Sequence, residues 1–246
     1  MGIDARRAAD ELEERLRAVG TPERAEHERR YLKSDLRFLG ATVWEIRREV
    51  KSFAEGHPDL SHADLVALVE ELWSEPVHER RMAAVELLSF YPALVEPGDL
   101  PLLEELVRGS RTWALVDGLA ADVLGGLLVR HPDAAPELDR WAADSDSWVR
   151  RAALLGMIEP LRNGASFDRS GRYAGAMLDE KEFFIRKAIG WVLRETGKRR
   201  PGEVVAWLAP RTQRASGVTM REAVKYLDPE DREQLLEAYR AKRPLT

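Results

Sequence analysis

The stretch WVRRAALL at residues 148–155 is followed by a similar one, FIRKAIGW, at residues 184–191. In both, an aromatic residue is followed by arginine two positions later and by alanine four positions later. The arginine–x–alanine pattern also occurs at residues 81–83 and 221–223, with intervals of 69, 36 and 35 residues between the arginines. The longest interval leaves room for one more copy near residue 115. A period of about 35 residues, with two helices in each unit, is typical of α-solenoids of the HEAT or armadillo type.

The remaining sequence also indicates helix. Apolar residues recur at spacings of three and four, and no stretch alternates with a period of two. Ser61 and Asp146 each precede an apolar run, as helix N-caps do. We therefore predict a single all-α domain over residues 1–246, a solenoid of HEAT-like repeats that curves around a concave face. Its predicted parts are an N-terminal helical cap (1–30), the repeats (31–227) and a C-terminal helix (228–246).

The composition excludes several classes of protein. Of 246 residues, 44% are hydrophobic and 33% are charged, which is enough apolar material for a core beneath a charged surface. The absence of cysteine excludes disulfides, thiolate zinc sites and a cysteine nucleophile. The histidines lack metal-ligand spacing and no phosphate-binding glycine loop occurs, so we expect no metal and no cofactor. No apolar run suits a membrane span or a secretory signal, which predicts a cytoplasmic protein that contacts no membrane.

Positive charge is concentrated in two segments although the formal net charge is −5. Residues 181–225 carry a local charge of +7, and residues 29–51 carry +4. A chain with this distribution can present one basic surface, which we expect on the concave face. The alternative is that these charges only solvate helix faces.

Asp117 breaks the repeat because it occupies the register that alanine holds in the other copies. Trp113 lies one helical turn before it, on the same face. Two interpretations stay open: a carboxylate held in a groove, or an acid that caps a helix or pairs with arginine. Trp191, in the most basic segment, has two interpretations as well: it stacks on a base or a cation, or it packs in the core. Most other tryptophans, including Trp73 and Trp207, are expected in the core.

Four segments in this order resemble the DNA alkylation repair enzymes of the AlkD type. They are YLKSDLRFLG (31–40), TWALVDGLAADVLG (112–125), SWVRRAA (147–153) and EFFIRKAIGWVLRE (182–195). The resemblance implies a HEAT-like-repeat DNA glycosylase that removes cationic alkylated purines, such as N3-methyladenine and N7-methylguanine, from duplex DNA. It also implies that Asp117, Trp113 and Trp191 form the catalytic site. The alternative is a non-catalytic HEAT-repeat module that binds DNA or serves as a protein scaffold.

The resemblance matches Arg151 to an arginine of the DNA-facing repeat, and basic residues at helix N-termini and along the concave face are expected to contact phosphates. The residues expected to bind DNA are Tyr31, Arg47, Lys51, Arg151, Arg186, Lys187 and Arg194. A monomer bound to duplex DNA is expected. The chain departs from the family pattern at Thr112-Trp113-Ala114, where the family has Trp-Trp-Asp, and at residues 163–172, a longer and more glycine-rich stretch expected to form a loop.

Overall fold

A computed structural model describes residues 2–245, which are largely helical. Residues up to Val123 form one compact unit, and residues from Leu124 onward form a second. The helices before this boundary are α1 Ala5–Val19, α2 Pro22–Leu32, α3 Val43–Gly56, α4 His62–Ser74, α5 His78–Phe90, α6 Leu100–Gly109 and α7 Trp113–Asp117. A π-helical segment, Gly118–Leu124, follows α7.

The second unit has the same helical character. Its helices are α8 Gly125–Arg130, α9 Glu137–Trp141, α10 Ser147–Leu155, α11 Ile158–Arg162, α12 Asp168–Ala176, α13 Phe183–Gly197, α14 Pro201–Leu208, α15 Gly217–Ala223 and α16 Pro229–Arg240. Short 3₁₀ turns lie at Pro92–Leu94, Pro97–Asp99, Pro132–Ala134, Ala209–Arg211 and Val224–Tyr226. A single backbone bridge, between Arg37 and Val77, is the only strand-like pairing in residues 2–245. The all-α prediction is confirmed.

Both predicted helix starts are confirmed at atomic detail. The Ser61 hydroxyl accepts a hydrogen bond from the backbone N–H of Asp64 at 3.1 Å, and α4 begins at the next residue. The Asp146 carboxylate accepts from the N–H of Trp148 at 2.8 Å at the start of α10. Each cap satisfies a backbone donor that has no partner inside the helix.

The alanine of the repeat is a packing residue. Ala83, Ala152 and Ala188 are fully buried, and Ala223 is 1% exposed. In the second unit, α13 packs against both α10 and α15, so consecutive copies are neighbours. The aromatic residues of two copies, Trp148 and Phe184, also meet, with ring centroids 5.3 Å apart. The sequence repeat therefore corresponds to a structural repeat of packed helices.

The arginine of the repeat also has a structural task, which sequence reasoning did not find. In three copies its guanidinium donates a hydrogen bond to the backbone carbonyl oxygen of the residue six positions earlier. These bonds join Arg81 to Glu75 at 3.2 Å, Arg150 to Asp144 at 2.7 Å and Arg186 to Glu180 at 2.6 Å. Each bond ties a helix to the turn that precedes it and satisfies a carbonyl oxygen there.

The N-terminal residues predicted as a cap pack into the first unit. Helix α1 contacts α3, α4 and α5. Its Leu12 and Leu16 are fully buried. Arg80, itself 3% exposed, donates a hydrogen bond to Glu13 of α1 at 2.7 Å.

No helix in the described part of the chain is long and apolar enough to cross a membrane.

The expectation for the tryptophans is right only in part. Trp141 is fully buried, but Trp73 and Trp207 are half-buried, and Trp44 is 67% exposed. Arginine guanidinium groups lie near the rings of two of them, Arg81 at 5.2 Å from the Trp73 centroid and Arg211 at 4.8 Å from that of Trp207. Such contacts let a large ring sit partly at the surface.

Candidate functional site

Helix α7 carries both Trp113 and Asp117, one turn apart and both half-buried. Its N-cap is Thr112, whose hydroxyl accepts a hydrogen bond from the N–H of Ala114 at 3.4 Å. Thr112 is only 2% exposed. Thr112 is therefore a buried capping residue, which fixes where α7 starts.

The backbone around α7 departs from regular helix at both ends. Arg111, just before the cap, has φ 55°, in the left-handed region that non-glycine residues seldom adopt. Directly after Asp117 the chain becomes π-helical over Gly118–Leu124. π-Helical turns are rare and frequently occur at functional sites. Sequence reasoning missed this segment because hydrophobic spacing does not distinguish a π turn from an α turn.

Gly118 permits the close packing of this segment on α5. A Cβ atom built at Gly118 would lie 2.8 Å from the Cγ1 atom of Val85, closer than real Cβ contacts. Val85 belongs to α5, so α5 is the helix that packs closely against this segment.

Tyr31 lies against the start of α7. Its ring is 5.8 Å from that of Trp113, in an edge-on arrangement at 81°, and the tyrosine is 62% exposed. An ion pair between Asp35 and Arg111, at 2.9 Å, joins the same two segments. The structure thus brings together two of the predicted residues, Tyr31 and Trp113, on the helix start that also positions Asp117.

The segment that follows Tyr31 is held by a buried carboxylate, Glu79 of α5. This side chain is fully buried and accepts hydrogen bonds from the N–H groups of Leu39, at 2.9 Å, and Gly40, at 2.7 Å. Burial raises the pKa of Glu79, and the N–H donors partly oppose that rise. Glu79 is a positioning residue that the sequence did not reveal, because Glu79-Arg80-Arg81 has the composition of a solvated helix face.

Gly40 allows the chain to cross closely over the start of α2. Its φ is 86°, and a Cβ atom there would lie 2.0 Å from the carbonyl oxygen of Thr21. His78, next to Glu79, stacks on Phe38 with ring centroids 5.0 Å apart. Burial lowers the pKa of His78 to about 4. Together these contacts fix the path of residues 31–40.

Two of the predicted DNA-binding residues lie on α3 and are exposed. The Arg47 side chain is 59% exposed and pairs with Glu86 at 2.9 Å. The Lys51 side chain is 65% exposed, with Glu55 at 3.7 Å. Ion pairs at exposed positions contribute little to stability, so both cations can exchange these partners for a phosphate.

The predicted residues of the second unit are less accessible. Arg151 is 1% exposed, its guanidinium donates a hydrogen bond to the carbonyl oxygen of Phe184, and it lies 5.8 Å from the Phe184 ring. A phosphate contact by Arg151 would require the side chain to leave these contacts. Arg186 and Lys187 are half-buried, and the Arg186 Nε–H is used in the bond to Glu180.

Trp191 has the basic neighbour that the sequence indicated. The Arg194 guanidinium lies 5.9 Å from the centroid of its ring, and the tryptophan is half-buried. Arg194 also pairs with Glu222. Part of the Trp191 ring is therefore at the surface, next to a cation that is already engaged.

Only the first half of residues 163–172 forms a loop, because α12 begins at Asp168. Gly164, with φ 91°, makes the turn that precedes this helix. The stretch borders a groove of about 800 Å³ whose lining includes Leu128, Met157 and Arg172.

Between residues 2 and 245, no three side chains of histidine, aspartate or glutamate come together as candidate metal ligands.

Comparison with known proteins identifies a family. The family described as DNA alkylation repair enzyme matches residues 12–227. No curated protein matches the chain.

Solved structures of low sequence identity share the fold. A predicted DNA alkylation repair enzyme from Enterococcus faecalis is 22% identical, with a TM-score of 0.78 over 85% of this chain and 97% of that one. AlkD2 from Streptococcus mutans is 16% identical, with a TM-score of 0.65 over 92% and 100% of the two chains. The protein smu.31 from Streptococcus mutans UA159 is 19% identical, with a TM-score of 0.57 over 76% and 99%.

Proposed function

The chain belongs to the DNA alkylation repair enzyme family, and from that premise we propose that it is a DNA glycosylase specific for cationic alkylated purines. It hydrolyses the N-glycosidic bond of bases such as N3-methyladenine and N7-methylguanine in duplex DNA and so initiates base excision repair. The observation that carries the proposal is Asp117, a half-buried acid in the register of buried alanines, one turn from Trp113.

The reaction requires few functional groups from the protein. An N3- or N7-alkylated purine carries a positive charge, so it leaves as a neutral base when the electron pair of the glycosidic bond moves onto its ring. The sugar becomes oxocarbenium-like, and the negative charge of Asp117 stabilises it electrostatically. Water forms the new bond to C1′ and gives its proton to the carboxylate or to solvent. No general acid is needed to protonate the base.

The aromatic residues supply the affinity for a cationic nucleotide. Trp113, whose ring meets that of Tyr31 in a T-shaped arrangement, offers a π surface one turn from the carboxylate. A cation–π contact contributes about 0.5–2 kcal/mol, depending on how far it is desolvated. The same role for Trp191 is implied by the family resemblance. Selectivity then comes from the charge of the lesion, while phosphate contacts position the DNA without reading its sequence.

Release of free base is the direct test of this proposal. The purified protein is incubated with duplex DNA containing N7-methylguanine, and the released base is measured by chromatography and mass spectrometry. Matched duplexes containing hypoxanthine or uracil serve as controls, and we expect far less release from them because these bases are neutral. A protein that binds the duplex but releases no base would instead be the non-catalytic DNA-binding module.

The pH dependence of excision tests the mechanism separately. Because the substrate supplies its own positive charge, we expect the single-turnover rate to stay nearly level from about pH 6 to 9. A steep fall as one group deprotonates within this range would show that a general acid protonates the base. The predicted monomeric state and cytoplasmic location accompany this function as expectations.

A further inference from the structure

Trp44 is an exposed tryptophan that the proposed chemistry does not use. Its exposure of 67% is the highest of the large hydrophobic residues described as exposed, and Val43 beside it is 42% exposed. Both lie in the first turn of α3, which is fixed by a capping box between Thr42 and Glu45. Tryptophan is highly buried on average, so a ring held outside the core on a well-anchored helix start is a candidate contact surface.

Basic side chains lie near Trp44 on the solvent-exposed side of α3. The Arg48 guanidinium lies 5.2 Å from the centroid of the Trp44 ring, and Arg47 and Lys51 follow at helical spacing on the same face. The acids that accompany these arginines are turned inward. Glu86, paired with Arg47, has a side chain 14% exposed against 59% for the arginine.

The second arginine shows the same asymmetry. The Glu49 side chain is 15% exposed, whereas that of its partner Arg48 is 47% exposed. Helix α3 is formally neutral, but Glu45 is held by the capping box and the exposed Glu55 lies at the other end of the helix. The charges that face outward nearest the Trp44 ring are those of Arg47 and Arg48. An aromatic ring among outward-facing cations is the combination that binds single-stranded nucleic acid, because bases stack on the ring and phosphates contact the cations.

This surface is separate from the residues of α7 but lies on the same unit. Helices α3 and α7 both pack on α5. The Arg47–Glu86 pair spans α3 and α5, and the charge of Asp122, in the π-helical segment after Asp117, contributes to the raised pKa of Glu86. Helix α3, which carries Trp44, and helix α7, which carries Asp117, are therefore both neighbours of α5.

We propose that Trp44 stacks on an unpaired base of bound DNA, while Arg47, Arg48 and Lys51 contact the flanking phosphates. The occupant is an unpaired base because both faces of a paired base are covered by its neighbours in the duplex. The inference rests on the proposed function for its partner, DNA. A second copy of the chain is a poorer occupant, because a symmetric contact would bring these cations against one another.

The test compares two undamaged duplexes, one fully paired and one with a single bulged adenine, by fluorescence anisotropy with the full-length protein. We expect tighter binding to the bulged duplex, and we expect Trp44→Ala to reduce that preference about 5- to 150-fold, the range found for base–aromatic stacking. Trp44→Phe keeps a stacking ring and should retain most of the preference. Phe90→Ala removes another exposed ring and is the matched control.

Several results would overturn the proposal: no preference for the bulge, an unchanged preference in Trp44→Ala, an equal loss in Phe90→Ala, or a dimer that Trp44→Ala makes monomeric in sedimentation. Because neither duplex is alkylated, the assay does not depend on catalysis. Base release from N7-methylguanine DNA is measured on the same preparations. Excision without a Trp44-dependent preference rejects this inference alone, and the preference without excision rejects the proposed function alone.

Discussion

Helix α7 in the first unit and helices α10 and α13 in the second follow one repeat pattern but use it differently. In α10 and α13 the alanines are buried, and the cation Arg151 is turned inward onto Phe184. In α7 the alanine position holds Asp117, half-buried, and the helix continues as a π-helical segment. Where the pattern is kept, its alanines are buried between packed helices; where it is broken, a carboxylate lies half-buried instead.

The largest expected effect comes from Asp117→Asn, which removes the charge and keeps the shape. We expect base release to slow by at least about 10²-fold, the scale on which positioned electrostatic groups act, with little change in duplex affinity. Single-turnover excision of N7-methylguanine measures it, and Asp133→Asn, an exposed acid in a turn, is the control. Near-normal excision by a folded Asp117→Asn protein would remove the distinction between α7 and the regular repeats.

The packing that positions Tyr31 can be tested through His78. Burial lowers its pKa from 6.5 to about 4, so between these values the unfolded chain binds a proton that the folded protein does not. This contribution to stability is fully present above pH 6.5 and is lost as the pH falls toward 4, by about 3 kcal/mol in all. Urea unfolding of His78→Phe across this range should show correspondingly less acid sensitivity.

Glu79 acts in the opposite direction and provides the control for that experiment. Its pKa is raised above 4.5, so the folded protein binds the proton more tightly than the unfolded chain, and stability falls as the pH rises above 4.5. Glu79→Gln should remove this dependence and leave that of His78. If both variants behaved like the wild type, burial at these positions would not govern the acid response.

In the second unit, Arg151→Ala separates packing from DNA contact. Because the side chain is buried and bonded to the carbonyl oxygen of Phe184, we expect a loss of about 2 kcal/mol in the free energy of unfolding. Arg172→Ala, at a 61% exposed side chain, should change it by less than about 0.5 kcal/mol. A fully stable Arg151→Ala protein with weakened DNA binding would restore the sequence-based expectation that Arg151 faces DNA.

Trp191→Leu keeps bulk and removes the π face. If Trp191 binds the cationic lesion, discrimination against the neutral base should weaken by about 0.5–2 kcal/mol. The ratio of kcat/KM for N7-methylguanine and hypoxanthine duplexes measures it. An unchanged ratio would assign Trp191 to packing, like Phe184 of the same helix.

The smallest effect is expected from Arg186→Ala. If Arg186 contacts one phosphate, the slope of log affinity against log salt should decrease by about 1. Arg81→Ala is the matched control, because Arg81 makes the same bond to a carbonyl oxygen six residues earlier and is 6% exposed. Equal slopes for the two variants would mean that Arg186, like Arg81, bonds only to the turn that precedes its helix.

Sequence reasoning predicted what periodicity encodes: the helices, the caps at Ser61 and Asp146, the alanine-containing repeat, and Trp113 one turn before Asp117. It could not predict which cations turn inward, because Arg151 has the same composition around it whether it faces solvent or Phe184. Nor could it find Glu79, whose partners Leu39 and Gly40 are distant in the chain and bond through backbone N–H groups. Those features depend on tertiary packing, which a repeat pattern leaves unspecified.

The crossing at Gly40 limits how this chain can vary. Since even a methyl group there would meet the Thr21 carbonyl oxygen at 2.0 Å, every missense change in that codon forces the two backbones apart. Gly56 and Gly98, with nothing within 4 Å of an added Cβ, carry no such restriction. In a library of random variants, functional sequences should therefore be depleted of changes at position 40 relative to positions 56 and 98.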